Sequence, residues 1–179
     1  ENARALAKHL GIKLITADPR ERFRENVSGY FIREYLSGRT PNPCVRCNKF
    51  IKFPAFFEEA QKLGYDLIST GHYARTDGNN IFRAKNLAKD QSYMMYNIDK
   101  ELIPHLRFPL ADLSKDEIRA IAEKAGIPVA NKPDSQDICF IPDGDTQGYI
   151  ERVIGEMPHG KFVDECGKCL GEHKGICRY

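Results

Sequence analysis

Apolar residues near the start of the chain fall at Ala3, Leu6, Ala7 and Leu10, the spacing of one helical face, and Gly11 supplies a C-terminal stop. The run IKLITA at 12–17 then predicts a buried strand. A second helix is predicted from Arg20 to Leu36, where Phe23, Val27, Tyr30, Phe31 and Leu36 recur at helical spacing before Gly38. A third runs from Phe53 to Leu63 and stops at Gly64, and DLISTGH at 66–72 follows as a strand. Two helix-then-strand units in succession predict an α/β fold with a parallel sheet.

Further along, strand patterns at 72–76 and 81–84 flank DGNN, whose residues tolerate positive φ, so a hairpin is predicted. KDQSYMMYNI reads as a short helix. In LSKDEIRAIAEKAG, Ser114 and Glu117 form a capping box, Ile118, Ile121, Ala122 and Ala125 share one face, and Gly126 is the stop. From Lys161 short β-like runs separated by glycine predict a strand-turn-strand. The Pro/Gly-rich stretch at 142–160 marks the expected domain boundary.

Composition narrows the class. With 41% hydrophobic residues in 179, the chain can build the core of one ordinary domain or two small ones. No stretch reaches the roughly 18 apolar residues of a membrane span, and the first residues lack a signal pattern, so a cytoplasmic location and no membrane partner are expected. A net charge of +2 gives no global case for nucleic acid, so any such contact must rest on local residues. Six cysteines without a secretion signal point to thiol chemistry or metal binding rather than to disulfide staples.

Five constellations carry candidate chemistry. Cys44-Val45-Arg46-Cys47 has a CxxC spacing that suits a shared metal, an internal disulfide, an activated thiol or two inert buried cysteines. Pro41 and Pro43 stiffen the segment before it into a loop or helix start, and the nearby positive charges of Arg46 and Lys49 are expected to favour thiolate. Cys139, in DSQDICF, is expected in an apolar pocket flanked by polar residues, with a plain core cysteine as the alternative. Thr70-Gly71-His72-Tyr73 lies where a strand should end, the usual place for a ligand in an open α/β sheet, and Gly71 would admit a nucleotide close to the backbone. Lys89-Asp90-Gln91-Ser92-Tyr93 offers a phosphate-binding cation, base-edge partners and a stacking ring, or simply a solvated helix start. Cys166 and Cys169, with His173 and Cys177, look superficially like a zinc knuckle within a non-catalytic RNA-binding module; a two-residue turn at Gly167 and Lys168 would instead set the flanking cysteines across a strand pair.

Taken in order and spacing, GRTPNPCVRCNKFIKF, STGHYAR, KDQSY and NKPDSQDICFIPDGD resemble the tRNA-specific 2-thiouridylase family, and the resemblance runs through nearly the whole chain. It implies the C-terminal half of a Rossmann-like, ATP-pyrophosphatase-type (adenine nucleotide hydrolase-like) domain over 1–106, a helical part of the central region over 107–150, and the start of a β-rich domain from 151. It leaves Cys166, Cys169 and Cys177 without a family role. The family's SGGVDSS-type phosphate loop and its C-terminal β-barrel are not in the sequence, so this stretch alone is expected to be inactive.

The resemblance also implies a chemistry. ATP, with Mg, would adenylate the C2 oxygen of the tRNA wobble uracil, with Gly71 helping to hold the nucleotide. Cys139 would carry sulfur as a persulfide from a donor protein, and Cys47 would be the nucleophile, leaving a Cys47–Cys139 disulfide. Asn42, Pro43 and Cys44 would border the flipped uridine, and His72, Lys89, Asp90 and Gln91 would touch tRNA. Many members carry Asp where this chain has Cys44, and that departure opens an alternative in which Cys44, Cys47 and Cys139 hold a 4Fe-4S cluster. The sequence leaves the oligomeric state open.

Overall fold

The computed structural model describes residues 2–127 and 138–178. Helix α1 spans Asn2–Leu10 and buries Ala7. A helical run follows in three parts: α2 at Arg20–Phe23, a wider π turn at Arg24–Ser28, and α3 at Gly29–Leu36. A second run has the same build, with α4 at Pro43–Cys47, a π turn at Asn48–Lys52 and α5 at Pro54–Lys62. The helix predicted over 20–36 is therefore present but wound more loosely at its middle.

The strands are short. β1 at Ile68–Ser69 pairs in parallel with β4 at Leu106–Arg107, and Thr70 N–H extends the ladder to Arg107 O at 3.1 Å. This parallel pair with helices packed against it agrees with the α/β class. Between them, β2 at Ala74–Thr76 and β3 at Ile81–Arg83 form the predicted hairpin, with Gly78 in the turn at φ 90°, where a Cβ would be strained. The segment predicted as a short helix forms two 3₁₀ turns, at Leu87–Lys89 and Ser92–Met95.

The predicted strand at 12–17 is not found. Ile12 is 60% exposed and Leu14 and Ile15 are 44% and 45% exposed, because no other described strand offers that segment a ladder. Helix α6 at Lys115–Lys124 has the expected capping box, but none of its apolar positions is fully buried among the described residues: Ile118 and Ala122 are half-buried and Ile121 is 56% exposed. Helix α7 spans Thr146–Ile154, inside the stretch read from sequence as a boundary.

In the hairpin of β5 at Gly160–Val163 and β6 at Cys169–His173, Val163 faces Cys169. Its turn is longer than the two residues expected. Asp164 Oδ1 accepts from the Cys166 and Lys168 amides at 2.9 and 2.8 Å, so Cys166 sits in the turn rather than on a strand.

Two apolar cores hold these elements. The first gathers Phe53, Phe57, Ile68, Ala74, Met95, Leu106 and Phe108. The second joins Phe31 and Ile32 of α3 to Ile141, Ile150 and Met157. No described helix is long and apolar enough to cross a membrane.

Asn48 locks the second helical run in place. It is fully buried and its Nδ2 donates to Met94 O at 3.2 Å, while its Oδ1 has no partner. Asn48→Ala orphans the Met94 carbonyl and leaves a gap, so urea denaturation should show a loss of about 1–3 kcal/mol. A variant as stable as the parent would mean that this bond does not hold the run.

Candidate functional site

Two neighbouring features make up the site. One is a thiol group, Cys44, Cys47 and Cys139; the other is a cleft of about 830 Å³ whose lining includes Asp18, Arg22, Lys52, Gly71, His72 and Gln91. That volume suits a ligand of nucleotide size. None of the three thiols lines the cleft.

The NPC sequence builds the helix that carries two of the thiols. Asn42 is its N-cap, with Oδ1 accepting from Cys44 N at 3.0 Å and Val45 N at 3.4 Å, and Pro43 takes the first helical position, where a missing amide costs nothing. Pro43 is buried and Asn42 exposed. Cys44 and Cys47 then fall at the start and end of α4, both half-buried.

Cys139 arrives from the second core. Its neighbours Ile138 and Phe140 pack there, with the Phe140 ring 5.5 Å from Phe23, 5.4 Å from Phe31 and 5.4 Å from Tyr149. Cys139 itself is exposed, so the apolar pocket expected around it encloses its neighbours instead. Residues 134–137 of its motif lie outside the described residues. All six cysteines are free, with no disulfide between Cys47 and Cys139.

Burial raises the pKa of both Cys44 and Cys47, Lys52 opposes it, and Cys139 adds to it, so the three thiols lie within electrostatic reach of one another. The cation concerned is not the one expected. Arg46 is committed elsewhere, its guanidinium 4.5 Å from the Tyr30 ring and 4.2 Å from the Phe50 ring and its Nε donating to Asn26 O at 3.1 Å. Lys49 donates to Asn97 Oδ1 at 3.3 Å and pairs with Asp99 at 3.6 Å.

In a regular α-helix Lys52, five residues after Cys47, would point away from it. The π turn at Asn48–Lys52 bonds i to i+5 and so stacks residues five apart, which brings Lys52 to the thiol side. Sequence periodicity gives no sign of such a turn, and Lys52 was not among the residues it singled out.

In the cleft, an added Cβ at Gly71 would meet only Leu110 Cδ1 at an ordinary 3.7 Å. The fold therefore does not itself require glycine there, which leaves close approach of a ligand as a reason for it. His72 is buried at 8% exposure, its ring 5.5 Å from Phe53 and 6.4 Å from Phe108, with Nδ1 2.9 Å from Thr70 Oγ1. Burial, helped by Lys52, pushes its pKa down to about 4. Such a ring is a neutral wall of the cleft.

Asp90 and Gln91 act as fasteners in this structure. Asp90 accepts from Ala84 N at 2.7 Å and Ser92 Oγ at 2.8 Å; burial works against its charge, but these bonds keep its pKa below the usual carboxylate value. Gln91 N–H donates to Tyr73 O at 2.8 Å, and Tyr73 N–H to Gln91 Oε1 at 3.0 Å. Lys89 is exposed beside them.

Among the described residues no group of three or more His, Cys, Asp or Glu is arranged to hold a metal ion. The described donors thus offer no zinc site at Cys166 and Cys169. Cys177 packs beside the second core.

Comparison with known proteins gives a consistent result. The family described as the tRNA methyl transferase HUP domain matches residues 1–143. A "tRNA-specific 2-thiouridylase MnmA 2" of Clostridium botulinum is 48% identical over all of this chain and 52% of its own length. A "tRNA-specific 2-thiouridylase MnmA" of Acidithiobacillus ferrooxidans is 45% identical over all of this chain and 53% of its own. One from Thermobifida fusca is 47% identical over 97% of this chain and 48% of its own. The chain spans about half the length of these relatives.

The buried ring of His72 yields a test. Between about pH 6.5 and about 4 the unfolded chain binds a proton at this imidazole and the native chain does not, so its contribution is complete above the window and declines as pH falls through it. Urea unfolding of the parent should lose on the order of 2 kcal/mol more than His72→Leu across that range. Equal losses would mean that the ring protonates in the native state.

Proposed function

This chain belongs to the tRNA-specific 2-thiouridylase family, through its tRNA methyl transferase HUP domain, and on that premise we propose that it acts in ATP-dependent 2-thiolation of the wobble uridine of tRNA. The observation that carries the proposal is the grouping of Cys44, Cys47 and Cys139, from distant parts of the chain, beside a nucleotide-sized cleft.

ATP supplies the activation, turning the C2 oxygen of uracil into a leaving group. The cleft at Gly71 is suited to the nucleotide, with His72 as a neutral wall that adds no competing charge. Cys139, exposed and held by Phe140, is accessible to a sulfur-donor protein and carries the sulfur as a persulfide.

The terminal sulfur of that persulfide attacks C2 and AMP departs. The Cys47 thiolate then attacks Cys139 Sγ, the S–S bond of the former persulfide breaks, and the sulfur stays on C2 as the thiocarbonyl. A Cys47–Cys139 disulfide remains, and two electrons from an external thiol restore both residues. Asn42, Pro43 and Cys44 border the base, and the segment from Lys89 to Gln91 contacts tRNA.

The intact protein should lose at least about 100-fold in wobble-uridine thiolation with either Cys47→Ser or Cys139→Ser, as expected when a covalent nucleophile is removed. Cys166→Ser should retain parental activity. Full thiolation by either of the first two variants would refute the relay.

A further inference from the structure

Of the other charged side chains around the cleft, Asp18, Arg22, Glu58 and Glu59 are paired. Arg22 Nη1 donates to both Glu58 oxygens at 2.9 and 2.8 Å, Glu59 holds Lys62 at 2.6 Å, and Asp18 holds Arg20. Arg46 and Lys49, the two cations nearest the CxxC in sequence, are bound to Asn26 O and to Asn97 and Asp99. Lys52 lines the cleft, is exposed, and has no ion pair or side-chain hydrogen bond among the described residues. Its charge acts at once on His72, inside the cleft, and on Cys44 and Cys47, beyond it.

An uncommitted ammonium at the border of two compartments is poised for an anion. Resting on the thiolation reading above, we propose that Lys52 is a positioning residue that holds the phosphate of the activated base at the junction of cleft and thiol group, within reach of Cys47. The π turn is the device that makes this possible, since it brings Lys52 to the side of α4 that carries the thiols. When the phosphate leaves with AMP, the same charge becomes available to thiolate. One cation then serves the leaving group first and the attacking sulfur afterwards.

The test reads local charge rather than turnover. Cys47 and Cys44 are alkylated in the folded chain with iodoacetate, an anion, and with iodoacetamide, its neutral counterpart, and the two rates are compared by peptide mapping. Dividing one rate by the other cancels the thiolate fraction, leaving attraction of the anionic reagent.

Lys52→Met should lower the iodoacetate-to-iodoacetamide ratio by roughly three- to tenfold, while Lys52→Arg should keep it. Millimolar AMP should bring the parental ratio towards that of Lys52→Met and leave the variant unchanged. A parental ratio in Lys52→Met, or no effect of AMP on the parent, would overturn the proposal. Because Lys52 is exposed on a helix and Met is a good helix former, both variants should fold, and unchanged thermal unfolding checks this. A chain that shows this charge effect while the intact protein fails to thiolate tRNA would sink the thiolation reading and leave the anion site standing.

Discussion

The burial of Phe53 is the constraint on which the site depends. Its ring is fully enclosed, 5.5 Å from His72 and edge-on to Phe108 at 6.2 Å, so one side chain joins the second helical run to the cleft wall. It lies at the junction between the π turn and α5, with Pro54 beginning the next helix immediately after it. With that position held, the preceding residues have little freedom: Asn48 reaches Met94, Lys52 borders the cleft and Cys47 lies within electrostatic reach of Cys44 and Cys139. Truncating such a ring costs about 3–5 kcal/mol in a packed core, and here it would also release the geometry on which the chemistry relies.

Burial and reactivity are in tension at the thiols. Desolvation raises the pKa of Cys44 and Cys47, which protects them from adventitious oxidation and alkylation but leaves less thiolate for attack. Lys52 works in the opposite direction. Cys139 has a different task, to receive sulfur from outside, and its exposure suits that task. The division between a sheltered nucleophile and an accessible carrier follows from where the two anchor: one on a helix tied to the first core, the other on a short segment held by Phe140 in the second.

Much of this was legible in the residues, for identifiable reasons. Helix limits followed from local chemistry, such as the Ser114–Glu117 capping box and the glycine stops at Gly11 and Gly126. The β2–β3 hairpin followed from DGNN, because few sequences tolerate that turn. Features that depend on distant partners were not legible. The run at 12–17 has the composition of a strand but no ladder among the described residues, and Ile121 lies on a helical face that nothing described fully buries. The π turns have no periodic signature, so Arg46 and Lys49 seemed the natural activators when Lys52 is the cation placed to act. His72 and Asp90 also have intramolecular roles that only tertiary packing reveals, one as a neutral wall and the other as a clasp for Ala84 and Ser92.

The central claim is that Cys47 and Cys139 are a working pair despite their separation in sequence. A disulfide between them requires Cα atoms to come within roughly 4.4–6.8 Å, so mild oxidation of the folded chain followed by peptide mapping asks directly whether they can meet. A dominant Cys47–Cys139 crosslink, formed ahead of any bond between Cys166 and Cys169, is the result this account predicts. If Cys139 instead remains free while Cys44 or Cys47 oxidises with other partners, the pair does not exist and the relay built on it is contradicted.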